Sequence, residues 1–196
     1  QGGVAADTLP DFSTSKANSI GLASGQKIVD VAADLHNTLI TGAGIVETSA
    51  SDGAQTLKVQ TSADNILKTG DGDDTLEMGA ANLLTLGDTI DMGAGTGDTI
   101  KITAEGDASG KEAVFNQKDS NVEKIVVGVN DTATTHAKLV LNNSGAETAA
   151  LEIDATALTN TGAKFTLALA GTAGNVDGAL TVKGGAVRRC DNDWRR

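Results

Sequence analysis

Aromatic side chains make up 2% of this 196-residue chain, with three Phe, one Trp and no Tyr. Large aromatics supply much of the area buried in most globular cores, so their scarcity weighs against a bulky interior. The apolar residues that remain are mainly Leu, Ile, Val and Ala, which suit thin, repeated layers of the kind a solenoid stacks. Cysteine occurs once, at Cys190, which excludes an internal disulfide and fits exported bacterial proteins that fold without one. Positive charge is also short: 15 Lys and Arg face 26 Asp and Glu, for a net charge of -11. Such a surface excludes a nucleic-acid partner, because phosphate binding needs a basic face to displace counterions. It equally opposes an anionic membrane surface. No apolar run approaches the ~18 residues of a transmembrane helix. Gln1 is not a start methionine and residues 1–9 have no charged-then-apolar leader, so the numbering is expected to begin on a mature end or an internal fragment.

Arginine is missing from all but the last nine positions. Arg188, Arg189, Arg195 and Arg196, together with Cys190 and Trp194, crowd residues 188–196, whereas every earlier basic side chain other than His is Lys. Codons for these nine residues, read in another frame, can encode Gly-Asp-Ala-Ile-Thr-Thr-Gly-Gly. That would continue the glycine-rich pattern of Gly184, Gly185 and Ala186. The expectation is a change of reading frame at 188–196, with a natural basic tail as the alternative.

What the chain does have is 24 Gly and short apolar runs set between Gly, Asp, Asn and Thr. Residues 1–44 read as an N-terminal arm around Pro10, followed by a short capping helix over 27–40, where Ile28, Val31, Leu35 and Leu39 share one helical face. Lys27 to Val31 also alternates as a strand would. Beyond residue 45 the helical period vanishes. Strands are predicted at 45–48, 56–60, 65–68, 75–78, 83–86, 89–92, 99–103, 122–127, 137–142, 150–154, 164–168 and 179–183, with no crossover helix between them. The fold class expected is all-β, a parallel β-solenoid or β-roll, with a β-sandwich as the alternative. Its parts are a Gly/Asp-rich region at 45–104 and a scaffold at 105–187.

The chemistry concentrates in residues 64–102. Thr69-Gly70-Asp71-Gly72-Asp73-Asp74-Thr75-Leu76-Glu77 matches the nonapeptide G-G-x-G-x-D-x-U-x at every defined position but the first. Glycines there admit positive φ and aim carbonyls at a common centre, and the aspartate adds a hard carboxylate oxygen suited to calcium. The apolar residue, here Leu76, turns into the core. One such turn supplies half a coordination shell, and a stacked neighbour must supply the rest. Partial copies follow: Gly87-Asp88-Thr89-Ile90-Asp91, then Gly93-Ala94-Gly95-Thr96-Gly97-Asp98-Thr99-Ile100, with one extra residue before Asp98. Asn65 stands two positions before Leu67 as Asp74, Asp88 and Asp98 stand before Leu76, Ile90 and Ile100.

This region resembles the repeats-in-toxin (RTX, haemolysin-type) calcium-binding repeats and the related Gly/Asp repeats of bacterial S-layer proteins and large adhesins. The resemblance covers about a fifth of the chain; a looser likeness to S-layer β-solenoid ladders extends through residues 121–127, 151–158 and 180–186. It departs at Thr69, which replaces the first Gly, at the insertion before Asp98, and in lacking a long unbroken array. The resemblance implies calcium as cofactor, with Asp74, Asp88 and Asp98 as the repeat carboxylates and Asp71, Asp73 and Asp91 as auxiliary ones. Carbonyls of Gly70, Gly72, Gly93 and Gly95 would complete the shells. Ordinary Gly-Asp turns with solvated carboxylates are the structural alternative.

No nucleophile elbow, zinc-protease helix or phosphate loop occurs, so an enzyme is not expected. His36 and His136 lack metal-ligand spacing, and Glu105, Asp107, Glu112 and Asp119 read as a solvated acidic loop. The function expected is a calcium-dependent structural protein of the bacterial cell surface, self-assembling into an S-layer, sheet or filament and anchored to a surface polysaccharide. Alternatives are a calcium-binding module of a large adhesin, or the noncatalytic calcium domain of a secreted hydrolase.

Overall fold

A computed structural model describes residues 21–22, 27–29, 38–48, 51–103, 111–117, 120–129, 137–142, 149–159, 163–170 and 178–184. Fifteen short strands run through these residues, and every pairing between them is parallel. The odd-numbered strands stack into one eight-stranded sheet: β1 (Gly21–Leu22), β3 (Thr38–Ile40), β5 (Thr56–Val59), β7 (Thr75–Met78), β9 (Thr99–Thr103), β11 (Lys124–Val129), β13 (Leu151–Ala155) and β15 (Leu180–Gly184). The opposite wall is β2 (Lys27–Val29), β4 (Ile45–Glu47), β6 (Ile66–Lys68) and β8 (Thr89–Asp91), followed by a separate sheet of β10 (Ala113–Phe115), β12 (Ala137–Asn142) and β14 (Phe165–Ala170). Alternating from wall to wall while advancing one strand at a time makes the chain a parallel β-solenoid.

Alternation in sequence explains the walls. Leu57, Leu76, Ile100, Ile125 and Ile153 stand in register on successive strands of the large sheet and are all buried. Val46, Leu67 and Ile90 answer them from the facing wall. Since successive side chains of a strand point to opposite faces, the residues between these anchors point outwards. A core one or two side chains thick needs few large aromatics; Phe115 is the largest fully buried residue among those described.

Two sequence expectations are corrected. Residues 27–29 and 38–40, at either end of the segment expected to be helical, are strands. Lys27, Ile28 and Val29 pair in register with Ile45, Val46 and Glu47, and a parallel ladder offered by a neighbouring coil outweighs a short helix of weak propensity. Residues 30–37 lie outside the described residues, as do 1–20, both histidines and 188–196. The strand expected at 83–86 is instead a 3-10 turn at Ala81–Leu83, an extended Leu84 and a second turn at Leu86 and Gly87. Four residues without apolar alternation do not define a wall: Leu84 turns inwards and Leu86 is 51% exposed. The β-sandwich alternative falls with the parallel pairing, since sandwiches are built on antiparallel sheets. No described helix is long and apolar enough to cross a membrane.

Candidate functional site

At the corner leading into the large sheet, three turns stack. Residues 51–55, 70–74 and 93–98 carry Ser-Asp-Gly-Ala-Gln, Gly-Asp-Gly-Asp-Asp and Gly-Ala-Gly-Thr-Gly-Asp. The contacts fix their register: Asp71 N–H donates to Ser51 O at 2.9 Å, Asp71 bridges Ala94, and Ala94 N–H donates to Gly70 O at 3.1 Å. The insertion noted in sequence is absorbed locally. Gly95 still lies against Gly72 and Asp98 still follows Asp74, while both Thr96 and Gly97 face Asp73, whose Oδ1 accepts the Thr96 N–H at 3.1 Å.

The repeat aspartates form a ladder. Gln55 N–H donates to Asp74 Oδ1 at 2.7 Å, Asp74 N–H to Asp98 Oδ1 at 2.7 Å, and Asp98 N–H to Glu123 Oε2 at 2.9 Å. Each side chain thus satisfies the amide of the coil before it, across 19, 24 and 25 residues of sequence. A buried amide left without such an acceptor would cost about 1–3 kcal/mol, so these carboxylates have a structural task whatever else they do. Asp74 and Asp98 are both fully buried.

Asp88 serves the opposite corner. Its Oδ1 accepts from the Asn65 N–H at 3.0 Å and the Asn65 side-chain amide at 3.1 Å, and its Oδ2 accepts from Thr85 N–H at 2.9 Å. Asn65 Oδ1 in turn accepts the Gly44 N–H at 3.1 Å, so a second, shorter ladder runs up that side. The structure therefore brings Asp74, Asp98, Asp71, Asp73 and glycines 70, 72, 93 and 95 to one corner and sets Asp88 apart. Asp71 and Asp73 point to solvent. Asp91, at the end of β8, accepts from Gly93 N–H at 3.2 Å and from the Asn121 side chain at 2.8 Å.

The glycines are required by two separate constraints. Gly70, Gly72 and Gly93 have φ of 99°, 112° and 81°, the left-handed region that penalises a Cβ. Gly95 is required by space instead: a Cβ there would come within 2.5 Å of Gly72 O, 2.6 Å of Asp98 Oδ2 and 2.7 Å of Asp98 Oδ1. Oxygens from two coils thus converge on the bare face of Gly95. Asp98 Oδ2, buried there, accepts no hydrogen bond among the described residues. Burial away from water pushes the Asp98 carboxyl from 3.8 up to about 7; the Asp74 N–H opposes the rise, and the negative charges of Glu123, Asp74 and Asp73 add to it. The Asp88 carboxyl is also raised by burial, against the pull of its Thr85 and Asn65 hydrogen bonds.

These observations bear on calcium in two ways. Among the described residues no three His, Cys, Asp or Glu side chains converge as a metal cluster. A cation at this corner would therefore depend on the Asp98 carboxylate together with main-chain carbonyls such as that of Gly72, a hard-oxygen set of the type calcium accepts.

Sequence reasoning missed Gln55 and Glu123 as ladder members, because only register across coils places them. It also gave no task to Thr69. That side chain is buried where the repeat pattern has Gly, and its hydroxyl donates to Met92 O at 3.2 Å; one coil earlier Thr48 donates to Thr69 O at 2.9 Å. The departure from the pattern is a threonine column that ties three coils together. No family model, curated protein or solved structure matches the chain.

Proposed function

We propose that this chain is a noncatalytic, calcium-dependent structural segment of an extracellular, bacterial cell-surface protein, of the RTX or S-layer kind, that assembles with copies of itself. The observation that carries the reading is the buried Asp98 Oδ2, which has no hydrogen-bond partner among the described residues and lies with Gly72 O against the bare face of Gly95. A divalent cation there would neutralise a carboxylate that burial otherwise drives towards protonation. The Asp98 carboxylate and the Gly72 carbonyl would hold it, and the bound ion would supply the positive charge that this acidic corner lacks. Because the ligands come from neighbouring coils, binding free energy would become folding free energy. A net charge of -11 supports the same logic, since self-repulsion weakens the compact state until cations screen it.

The test is calcium titration of chelated protein, followed by circular dichroism and light scattering, with magnesium as comparison. Calcium is expected to raise the unfolding midpoint and to promote association, and Asp98→Asn to remove the first effect. Fold and assembly indifferent to calcium would overturn the proposal.

A further inference from the structure

The outer face of the large sheet carries a groove of ≈ 490 Å³ away from the Gly/Asp corner, lined by Lys58, Gln60, Glu77, Gly79, Lys101 and Thr103. Lys58, Glu77 and Lys101 are register partners on β5, β7 and β9. Glu77 lies between the two ammonium groups, with Lys58 Nζ 3.6 Å from Oε2 and Lys101 Nζ 3.6 Å from Oε1. Both separations exceed the ~2.7–3.2 Å of a formed N–H···O bond. Lysines higher on the same face are engaged more closely: Lys124 approaches Glu152 and Asp154 at 3.1 and 3.0 Å, and Lys183 approaches Glu152 at 2.6 Å. Lys58 and Lys101 thus share one carboxylate at long range and keep donors for a ligand.

Gly79 sets the depth of the groove. Its φ is not positive, and its N–H makes an ordinary ladder bond to Val59 O at 3.0 Å, so the backbone does not demand glycine. The lack of a side chain instead lets the Gln60 carboxamide lie where a Cβ would stand. An amide, the Thr103 hydroxyl and a carboxylate between two ammonium groups can bind hydroxyls and anions together. That combination suits sugars.

We infer that this groove binds an acidic glycan bearing a carboxylate on alternate sugars. The spacing carries the choice. Two strand steps separate the backbones of Lys58 and Lys101, about 9.5 Å, roughly the repeat of an extended disaccharide and within the adjustment of two flexible lysine side chains, and Glu77 midway repels a third anion while accepting hydroxyls from the neutral sugar. A continuous polyanion such as nucleic acid would meet Glu77 and the acidic remainder of the chain. The inference draws on the cell-surface reading for the source of the glycan, while its geometry is independent of the calcium corner.

The experiment is calorimetric titration of the full chain with a hyaluronan hexasaccharide, beside oligogalacturonate of equal length, with a carboxylate on every sugar, and neutral chitohexaose. Each sample is first shown to be folded by circular dichroism, with and without calcium, which separates failure of the groove from failure of the calcium reading. Saturable binding of hyaluronan in preference to both others is expected. Lys58→Gln with Lys101→Gln should weaken it by about tenfold or more. Gly79→Leu should do the same by filling the groove at unchanged unfolding midpoint. No saturable binding, equal binding of chitohexaose, stronger binding of oligogalacturonate, or wild-type affinity in folded variants would each overturn the inference.

Discussion

The Asp98 carboxylate accepts the main-chain N–H of Asp74 at 2.7 Å, so a side chain from one coil completes the turn of the coil before it. Asp98→Ala is expected to leave that buried amide without its acceptor and to destabilise the chain by about 1–3 kcal/mol. Asp98→Asn keeps an acceptor oxygen and removes a buried charge. In chelator it should be near neutral or stabilising, and in calcium it should lag behind the wild type. Urea unfolding followed by circular dichroism, in both conditions, measures the difference.

The same carboxyl gives the metal-free protein an inverted pH dependence. Its folded pKa of about 7 lies above the ordinary 3.8, so the native state holds the proton longer than the unfolded chain does. Its contribution to stability is full below 3.8 and is lost as pH rises through about 7. Asp88, raised in the same direction, adds to the trend. Chelated protein should unfold at a lower urea concentration at neutral pH than in mild acid. Calcium should reverse that slope, because it competes with the proton. A flat profile for the chelated protein between these limits would contradict the raised pKa.

Gly95→Ala and Gly184→Ala form a matched pair. A methyl at Gly95 meets Gly72 O and the Asp98 carboxylate, whereas one at Gly184 meets nothing within 4 Å among the described residues. The first should cost about 1–3 kcal/mol through overpacking and abolish the calcium response. The second should stay within about 0.5 kcal/mol of wild type. Thermal denaturation of the two variants with and without calcium checks both.

On the outer face, Asp154 is held down to about 2, chiefly by the Thr156 hydroxyl at 2.6 Å and less by the Lys124 ammonium at 3.0 Å, with burial opposing both. Thr156→Val should therefore raise the Asp154 pKa more than Lys124→Met does, as read by NMR titration of its carboxyl carbon. The reverse order would show the ion pair to be the stronger partner. Because a carboxylate with a depressed pKa stabilises the fold above its ordinary value, this contribution is lost only as pH falls from 3.8 towards about 2.

The strands most legible in sequence were those with strict alternation: Thr75–Met78, Thr99–Thr103 and Ala137–Asn142 occupy the residues expected of them. Ala113–Phe115 was hidden because three residues beside an acidic stretch carry too little pattern, although Phe115 is, with Phe165, among the largest buried side chains. The spacing of Asp74 and Asp98 ahead of their apolar anchors marked the corner. What those carboxylates do for the amides of Gln55 and Asp74 depends on which coil lies above which. That relationship spans more sequence than any local motif records, and so do the role of Thr69 and the separation of Asp88 from its apparent equivalents.

Parallel register from β1 to β15 means that each strand of the large wall pairs only with the strand before it and the strand after it in that wall. Stability in such a stack is a sum of coil terms and nearest-neighbour terms. Tension applied along the chain therefore meets resistance one coil at a time. The molecule would yield by peeling, lengthening in steps while the remaining coils hold, and would rewind when the load is released. A layer of the kind proposed above, woven from such units, would stretch before it tears.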